Sequence, residues 1–337
     1  MRILKNVLLM WVGLLCWHTV FAAQMVDPYQ MTVASTGTLQ VDQQNAFNHL
    51  IERVTGSDQA LANPAIAKAA SHAGDYLQQY AYQQQDGQKQ MAVVFNRKQI
   101  EQMLIQAGLP FWADQRPLII VWDVIEQKGQ QAFVADGSDH ATQLRTQAQQ
   151  WALPIILPVM DLDDSMAISP ADVWGSFVQP VTSASQRYNA DVALMVKSYQ
   201  DSNSALTNDW QLLDLHQHQI IAQGHDQGSA QGAIDAQMWQ QVAAKLAARY
   251  AVVRSTTSGG EVQLTFTHIN DFSQYHQIRH FLTSQPSVVA VSLLMVNQDS
   301  YTFVVKLADA WQPLQAALNL NDNYQPIDNA PYHYQRR

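Results

Sequence analysis

Apolar positions along this chain change period at identifiable points, and those changes mark its elements. From Tyr29 the period is two: Tyr29, Met31 and Val33 alternate with Gln30 and Thr32, which predicts a strand. Ala46, Phe47, Leu50, Ile51 and Val54 then recur at helical spacing, and Gly56 supplies a stop. Asn63-Pro64 is a cap followed by proline at the first helical position. Tyr80 to Gln84 and Met91 to Phe95 predict a hairpin about Asp86-Gly87. Asn96 and Gln99 have capping-box spacing for a helix to Ala107, closed by Gly108. Residues 23–112 therefore read as a small α/β unit: strand, two helices, hairpin, helix.

Residues 116–253 form a second unit. Pro117 to Ile125 is an apolar, β-branched run suited to a buried strand. Ser138 caps a helix carrying Leu144, Ala148 and Trp151, and Pro154 to Met160 predicts a second buried strand. Ser169-Pro170 opens a helix with Val173, Trp174 and Phe177, and Ala190 to Tyr199 is a third strand. Trp210–Leu215 and Ile220–Gly224 predict a closing hairpin before a helix over Ala233–Tyr250. Alternating strands and helices with a late hairpin predict a layered α/β domain on a mixed sheet. Ser255 to Gly260, four hydroxyl residues and two glycines, reads as a linker. Residues 260–322 then run β-α-β-β-α, a ferredoxin-like order. The tail, 323–337, is polar and reads as flexible.

The other apolar segment lies at the start. Val7 to Trp17 follows Arg2 and Lys5 and precedes Val20-Phe21-Ala22, the pattern of a cleaved secretory signal over residues 1–22. The run is about half of the roughly twenty residues a spanning helix needs. Cys16, preceded by Leu14-Leu15, does not suit lipidation. Export changes the rest of the reading. The only cysteine leaves with the signal, so the mature chain has no disulfide, thiol nucleophile or cysteine-ligated metal. Losing Arg2 and Lys5 takes the formal net charge from -9 to -11, which repels nucleic acid and anionic lipid. Charged residues are only 14% of the chain, and 45 glutamines supply the surface polarity instead.

Candidate chemistry is sparse. Asp161, Asp163 and Asp164 follow a predicted buried strand, where open sheets present ligands. They read as a contact site with Trp174 on the next helix and Arg187 as clamp, or as a solvated loop. Arg187-Tyr188 fits a structural ion pair or an anion clamp. His276 and His280 stand one helical turn apart, but Gln277 occupies the place of a zincin's base. His216 and His218 flank a turn. Trp112, Trp122, Trp151, Trp174 and Trp210 sit mostly on apolar faces and read as core, with a glycan platform as the alternative. No nucleophile elbow, P-loop or dinucleotide fingerprint occurs, and no cofactor is expected.

Several phrases occur together: NHLIERVTG at 48–56, GLPFW at 108–112, RPLIIVW at 116–122, LPVMDLDD at 157–164, DVWG at 172–175 and RYNAD at 187–191. As a set they resemble an uncharacterised family of exported proteobacterial proteins, the domain of unknown function numbered 2066. That resemblance implies an envelope location and no established activity. In element order the first two units also resemble small α/β domains of periplasmic accessory proteins, such as the N-terminal domain of the Tol-Pal β-propeller protein and lipoprotein activators of peptidoglycan synthases. Fold analogy does not fix function. The expected role is a periplasmic, non-enzymatic accessory protein with an envelope protein or peptide as partner. An envelope hydrolase using the Asp161–Asp164 loop and a carbohydrate-binding module are the alternatives.

Overall fold

The computed structural model of the chain describes residues 27–85, 87–112, 116–202, 204–253, 260–308, 310–328 and 330–337. The signal segment and the Ser255–Gly260 linker, apart from Gly260, lie outside them. The first elements are β1 (Gln30–Ala34), α1 (Leu39–Thr55), α2 (Pro64–Ala70), β2 (Leu77–Gln85), β3 (Gln88–Phe95), α3 (Arg97–Gln106) and β4 (Pro110–Phe111). β3 is the centre of an antiparallel sheet ordered β1-β3-β2. Alternation puts Met31, Met91, Val93 and Phe95 into one core with Phe47, Leu50 and Ile51 of α1. The predicted caps form: Asn63 accepts the Ala65 N–H at 2.9 Å, and Asn96 accepts that of Gln99 at 3.3 Å. α1 stops where Gly56 takes φ 71°, with its N–H on the Glu52 carbonyl at 2.7 Å.

Next come β5 (Ile119–Gln127), β6 (Gln130–Phe133), α4 (Asp139–Gln150), β7 (Ile155–Ile156), α5 (Leu162–Ala167), α6 (Pro170–Trp174) and α7 (Val178–Ser185). They are followed by β8 (Val192–Gln200), β9 (Leu206–Asp214), β10 (Gln219–Gly228), α8 (Gln231–Tyr250) and β11 (Val252–Val253). The sheet is ordered β10-β9-β8-β5-β6, with β7 against the start of β5. β5 runs parallel to β7 and β8, and the other pairs are antiparallel, so the sheet is mixed. Both faces of β5 are buried. Ile119 and Val121 join the core under α4 and α8, while Ile120, Trp122 and Val124 join the core under α6 and α7.

Three expectations for this unit need correction. The predicted strand Pro154–Met160 pairs only at Ile155–Ile156. Pro154 and Pro158 bring no N–H to a ladder, and Met160 turns to φ 56°. The aspartate loop is the first turn of a helix, α5, with Asp161 as its cap. The predicted helix through Phe177 ends at Trp174, and α7 follows after Gly175.

The first two sheets are stitched together. β4 pairs with β11, and the Trp112 N–H reaches the Val54 carbonyl at 2.7 Å. The buried guanidinium of Arg116 lies 3.7 Å over the Trp112 ring and donates to the Arg53 carbonyl at 3.1 Å. Any side chain at Gly56 would collide with Ala247 of α8.

The last elements are β12 (Gly260–Thr267), α9 (Phe272–Ser284), β13 (Val288–Asn297), β14 (Ser300–Leu307), α10 (Gln312–Asn319), β15 (Tyr324–Pro326) and β16 (His333–Arg336). The predicted β-α-β-β-α order is present. The tail is not loose. β16 pairs parallel to β12 and antiparallel to β15, extending the sheet to β13-β14-β12-β16-β15. Tyr324 and Tyr334 anchor it by burying their rings against Phe266. Two aromatic side chains offset the ordering cost that a polar tail could not otherwise meet. The whole is a mixed α/β molecule with several sheets, one helix-covered core beneath each of the outer sheets and two cores about the middle one.

Candidate functional site

Asp161, Asp164 and Arg187 come together between α5 and the turn before β8. Arg187 grips Asp161 with both terminal nitrogens, at 2.7 and 2.9 Å, and reaches Asp164 Oδ1 at 3.0 Å. Asp164 is fully buried, and its Oδ2 accepts from the Tyr188 hydroxyl at 2.5 Å and the Met160 N–H at 2.8 Å. Asp161 also caps α5 through the Asp164 N–H at 3.0 Å. The Val159 N–H donates back to the Tyr188 hydroxyl at 3.0 Å. Arg187 holds the Asp161 carboxyl well below the usual carboxylate range, helped by the Asp164 N–H. Burial and the bond to Asp164 push the Tyr188 hydroxyl up to about 12.

The five residues singled out in the sequence thus separate. Asp161, Asp164 and Arg187 are one ionic staple, Asp163 faces solvent beside it, and Trp174 turns away to pack edge-on against Tyr199 at 5.8 Å. Asp164 cannot be a surface contact, because both of its oxygens are spent inside. The staple does expose something else. Val159, Leu162, Met166 and Phe177 are 64, 74, 79 and 57% exposed. Leu162 and Met166 are one turn apart and share a face of α5. Large apolar side chains this exposed, gathered within one short segment, are a contact signature that single scattered ones are not. The aspartates stand out in the sequence for their place after a predicted buried strand; of the three, Asp161 and Asp163 are exposed and Asp164 is buried.

Sequence reasoning missed a second polar centre. Asp123 lies mid-strand in β5, on the face covered by α4 and α8. Its Oδ2 is 3.5 Å from His140 Nε2, and Asp235 Oδ2 of α8 is 3.3 Å from the same nitrogen. The other carboxylate oxygens are held from outside: Ser198 donates to Asp123 Oδ1 at 3.2 Å, and Asn208 and Gln231 donate to Asp235 Oδ1 at 2.7 and 2.9 Å. Burial pushes the Asp123 carboxyl up to about 7, with Asp235 adding to the push and His140 and Ser198 opposing it. Burial alone would lower His140, but the two carboxyls win and raise it. The signal was legible: one aspartate inside the run Ile119–Val124, whose other members are all buried.

The remaining candidates are placed singly. His276 packs edge-on against Phe272 at 4.3 Å, and His216 contacts Asp191 at 3.3 Å. Among the described residues, no group of three or more His, Cys, Asp or Glu side chains is arranged to hold a metal ion. Trp112, Trp122 and Trp210 are buried and cannot stack on a glycan, while Trp151 and Trp174 are half-buried. A shallow depression beside α10 and β16, lined by Trp311, Tyr332 and Tyr334, includes no residue of either polar centre.

Residues 22–113 match the model of a domain of unknown function, DUF8605. This overturns the resemblance to the domain of unknown function numbered 2066. The match spans the first unit alone. No curated protein matches the chain. Among solved structures, the LpoB C-terminal domain from Salmonella enterica is similar at 16% identity, over 34% of this chain and 83% of that one, with a TM-score of 0.25. The PelC dodecamer from Paraburkholderia phytofirmans is similar at 14% identity, over 39% of this chain and 88% of that one, with a TM-score of 0.23. Likenesses of this size carry neither fold nor function across.

Proposed function

We propose that the chain is an exported, non-enzymatic accessory protein of the cell envelope that binds a partner protein or peptide through the apolar rim of residues 159–177. The observation that carries this reading is the pairing of exposure with rigidity. Val159, Leu162 and Met166 stand in water on and beside the short helix α5, whose first turn the Arg187–Asp161–Asp164–Tyr188 staple holds, and Phe177 follows, exposed, at the cap of α7. Preorganisation of that kind reduces the entropic cost of binding. The N-terminal signal pattern supports export, and no helix among the described residues is long and apolar enough to cross a membrane. The staple disfavours the hydrolase alternative. Asp161 is locked to a guanidinium and held far below neutral pH, where it can neither give nor take a proton in mid-range.

A photo-crosslinking residue at Leu162 or Met166 should trap one discrete partner in intact envelopes, and one at Gln237 on the outer face of α8 should not. Leu162→Ser with Met166→Ser should abolish the product while leaving urea stability within about 0.5 kcal/mol, as exposed changes do. Identical crosslinks from rim and control positions would refute the rim. The exported protein should begin at Ala23 or Gln24; Met1 at the N-terminus of envelope material would refute cleavage.

A further inference from the structure

β13 is an edge strand of the last sheet, and it is unlike the edges proteins usually leave open. Among the described residues it pairs with β14 alone. An open edge presents a row of unpaired N–H and C=O groups, which is normally blunted by lysine, proline or a covering element. Residues 288–298 contain no charged side chain and no proline. Val289, Leu293, Leu294, Met295 and Val296 are between 38 and 56% exposed. Irregularities of register at Val289 and Leu294 are the protection this edge carries. They leave Ala290–Leu293 as a regular stretch.

We infer that β13 pairs antiparallel with β13 of a second copy, about a two-fold axis at Ser292. Three observations select this occupant. First, charge: a self-pair opposes no like charges, and a partner chosen by charge would find nothing on this strand to hold. Second, faces. The register with β14 puts Val291 opposite Val305 and Leu293 opposite Phe303, on the helix-covered side, and Ser292 opposite Val304 on the other. A two-fold at Ser292 sets Val291 against Leu293 twice on the first side and serine against serine on the second. Both copies therefore keep like faces together, which a one-residue slip would destroy. Third, area. The five exposed side chains present roughly 400 Å² per copy, and edge pairing over Ala290–Leu293 covers only part of it, so the contact lies below the roughly 1,000 Å² of a stable interface and suits a weak, reversible self-association. A closed two-fold dimer is the simplest symmetric outcome, and a contact this small makes it concentration-dependent. The inference is independent of the rim at 159–177.

Sedimentation equilibrium of the mature chain from about 1 to 200 µM should give a monomer–dimer equilibrium. Leu294→Lys with Met295→Lys should weaken it at least tenfold, with an unchanged circular dichroism spectrum. The mature chain contains no cysteine, so Ser292→Cys gives a clean symmetric probe: directly opposed residues lie about 4.5–5.5 Å apart between Cα atoms, within disulfide reach. Under mild oxidation it should form a covalent dimer far faster than Thr283→Cys on exposed α9. A monomer throughout the range, a dimer that survives the lysines, open-ended aggregation without a discrete dimer, or equal oxidation at the two cysteines would each overturn the inference.

Discussion

Replacing Asp123 by asparagine should stabilise this protein at alkaline pH and leave it nearly unchanged in acid. Burial raises the folded-state carboxyl from 3.8 to about 7. A carboxyl raised on folding binds its proton more tightly in the native state. Its contribution is therefore favourable in acid and is lost as pH climbs from about 4 to about 7. At roughly 1.4 kcal/mol for each pH unit, that interval puts a ceiling near 4 kcal/mol on the loss. Coupling to His140 and Asp235 spreads the titration over the cluster, so about 1–3 kcal/mol is expected for the carboxyl itself. Asparagine has the same shape: its oxygen can accept from the His140 Nε2–H while its amide donates to the Ser198 oxygen, whose hydroxyl turns to Asn208 at 3.0 Å. It has nothing to ionise.

The assay is urea unfolding of wild type and Asp123→Asn at about pH 4.5 and about pH 8. Other groups titrate in opposite senses. Asp42, buried in the first turn of α1, would be raised by burial, but the Thr36 N–H and hydroxyl with Ser35 and Tyr82 bring it down to about 2. Its stabilisation is lost only in strong acid, and it cancels when variant and wild type are subtracted. His140 follows the sign of Asp123: its proton is held above the usual histidine value, so its contribution fades as pH rises. His140→Ala should then cost roughly 3–5 kcal/mol near neutrality, because two buried carboxyls would face each other without a cation between them. Asp123→Asn in that background should recover part of the loss. An Asp123→Asn variant that is destabilised equally at both pH values would refute the reasoning and make the carboxylate a structural anion.

Two further substitutions probe the middle sheet. Asp164→Ala strands the Arg187 guanidinium, the Tyr188 hydroxyl and the Met160 N–H together and should cost about 3 kcal/mol, whereas Asp163→Asn should change stability by less than about 0.5 kcal/mol in the same urea titration. Gly224 of β10 lies opposite Trp210, whose ring already fills the space a Cβ would need. Gly224→Ala should destabilise by about 1–3 kcal/mol and shift tryptophan emission to longer wavelength; an unshifted spectrum would mean that the strand, not the indole, gives way.

Legibility varied with how local the determinant was. The caps at Asn63 and Asn96 and the stop at Gly56 depend on a few adjacent residues, and all could be read directly. The buried strand β5 announced itself as an unbroken apolar run. β6 did not, because Gln130–Phe133 is short, half polar and stabilised by pairing alone. α7 carries Pro180 and follows Phe177, an exposed phenylalanine in its cap position, so the apolar count placed the helix one element early. The sequence pointed from the aspartate loop to Arg187, which binds Asp161 and Asp164, but the burial of Asp164 depends on Tyr188 and on the direction of one helical turn, neither of which a spacing argument reaches. The tail looked loose since Tyr324 and Tyr334 are isolated in sequence and meet Phe266 only through the sheet.

One compositional fact connects the inside of this molecule with its two open surfaces. With 14% charged residues, the chain has few ions to place. It nevertheless buries Asp42, Arg53, Arg116, Asp123, Asp164 and Asp235. Buried ionic groups contribute little net stability, though they penalise alternative packings severely, since any misplacement leaves a charge unpaired. Glutamine then supplies most of the surface polarity, and glutamine does not repel its own kind. β13 carries no charge at all, and beside the 159–177 rim Arg187 answers Asp161 and Asp164, so only part of the carboxylate charge there is left to repel a partner. On a surface of this composition, exposed leucine, methionine and phenylalanine remain sticky unless something specific covers them. Rigid presentation by the Arg187 staple suits the rim to a dedicated partner. The uncharged strand β13, whose apolar faces match their own two-fold image, suits a second copy. Introducing lysine at either surface should therefore silence that one and leave the other intact.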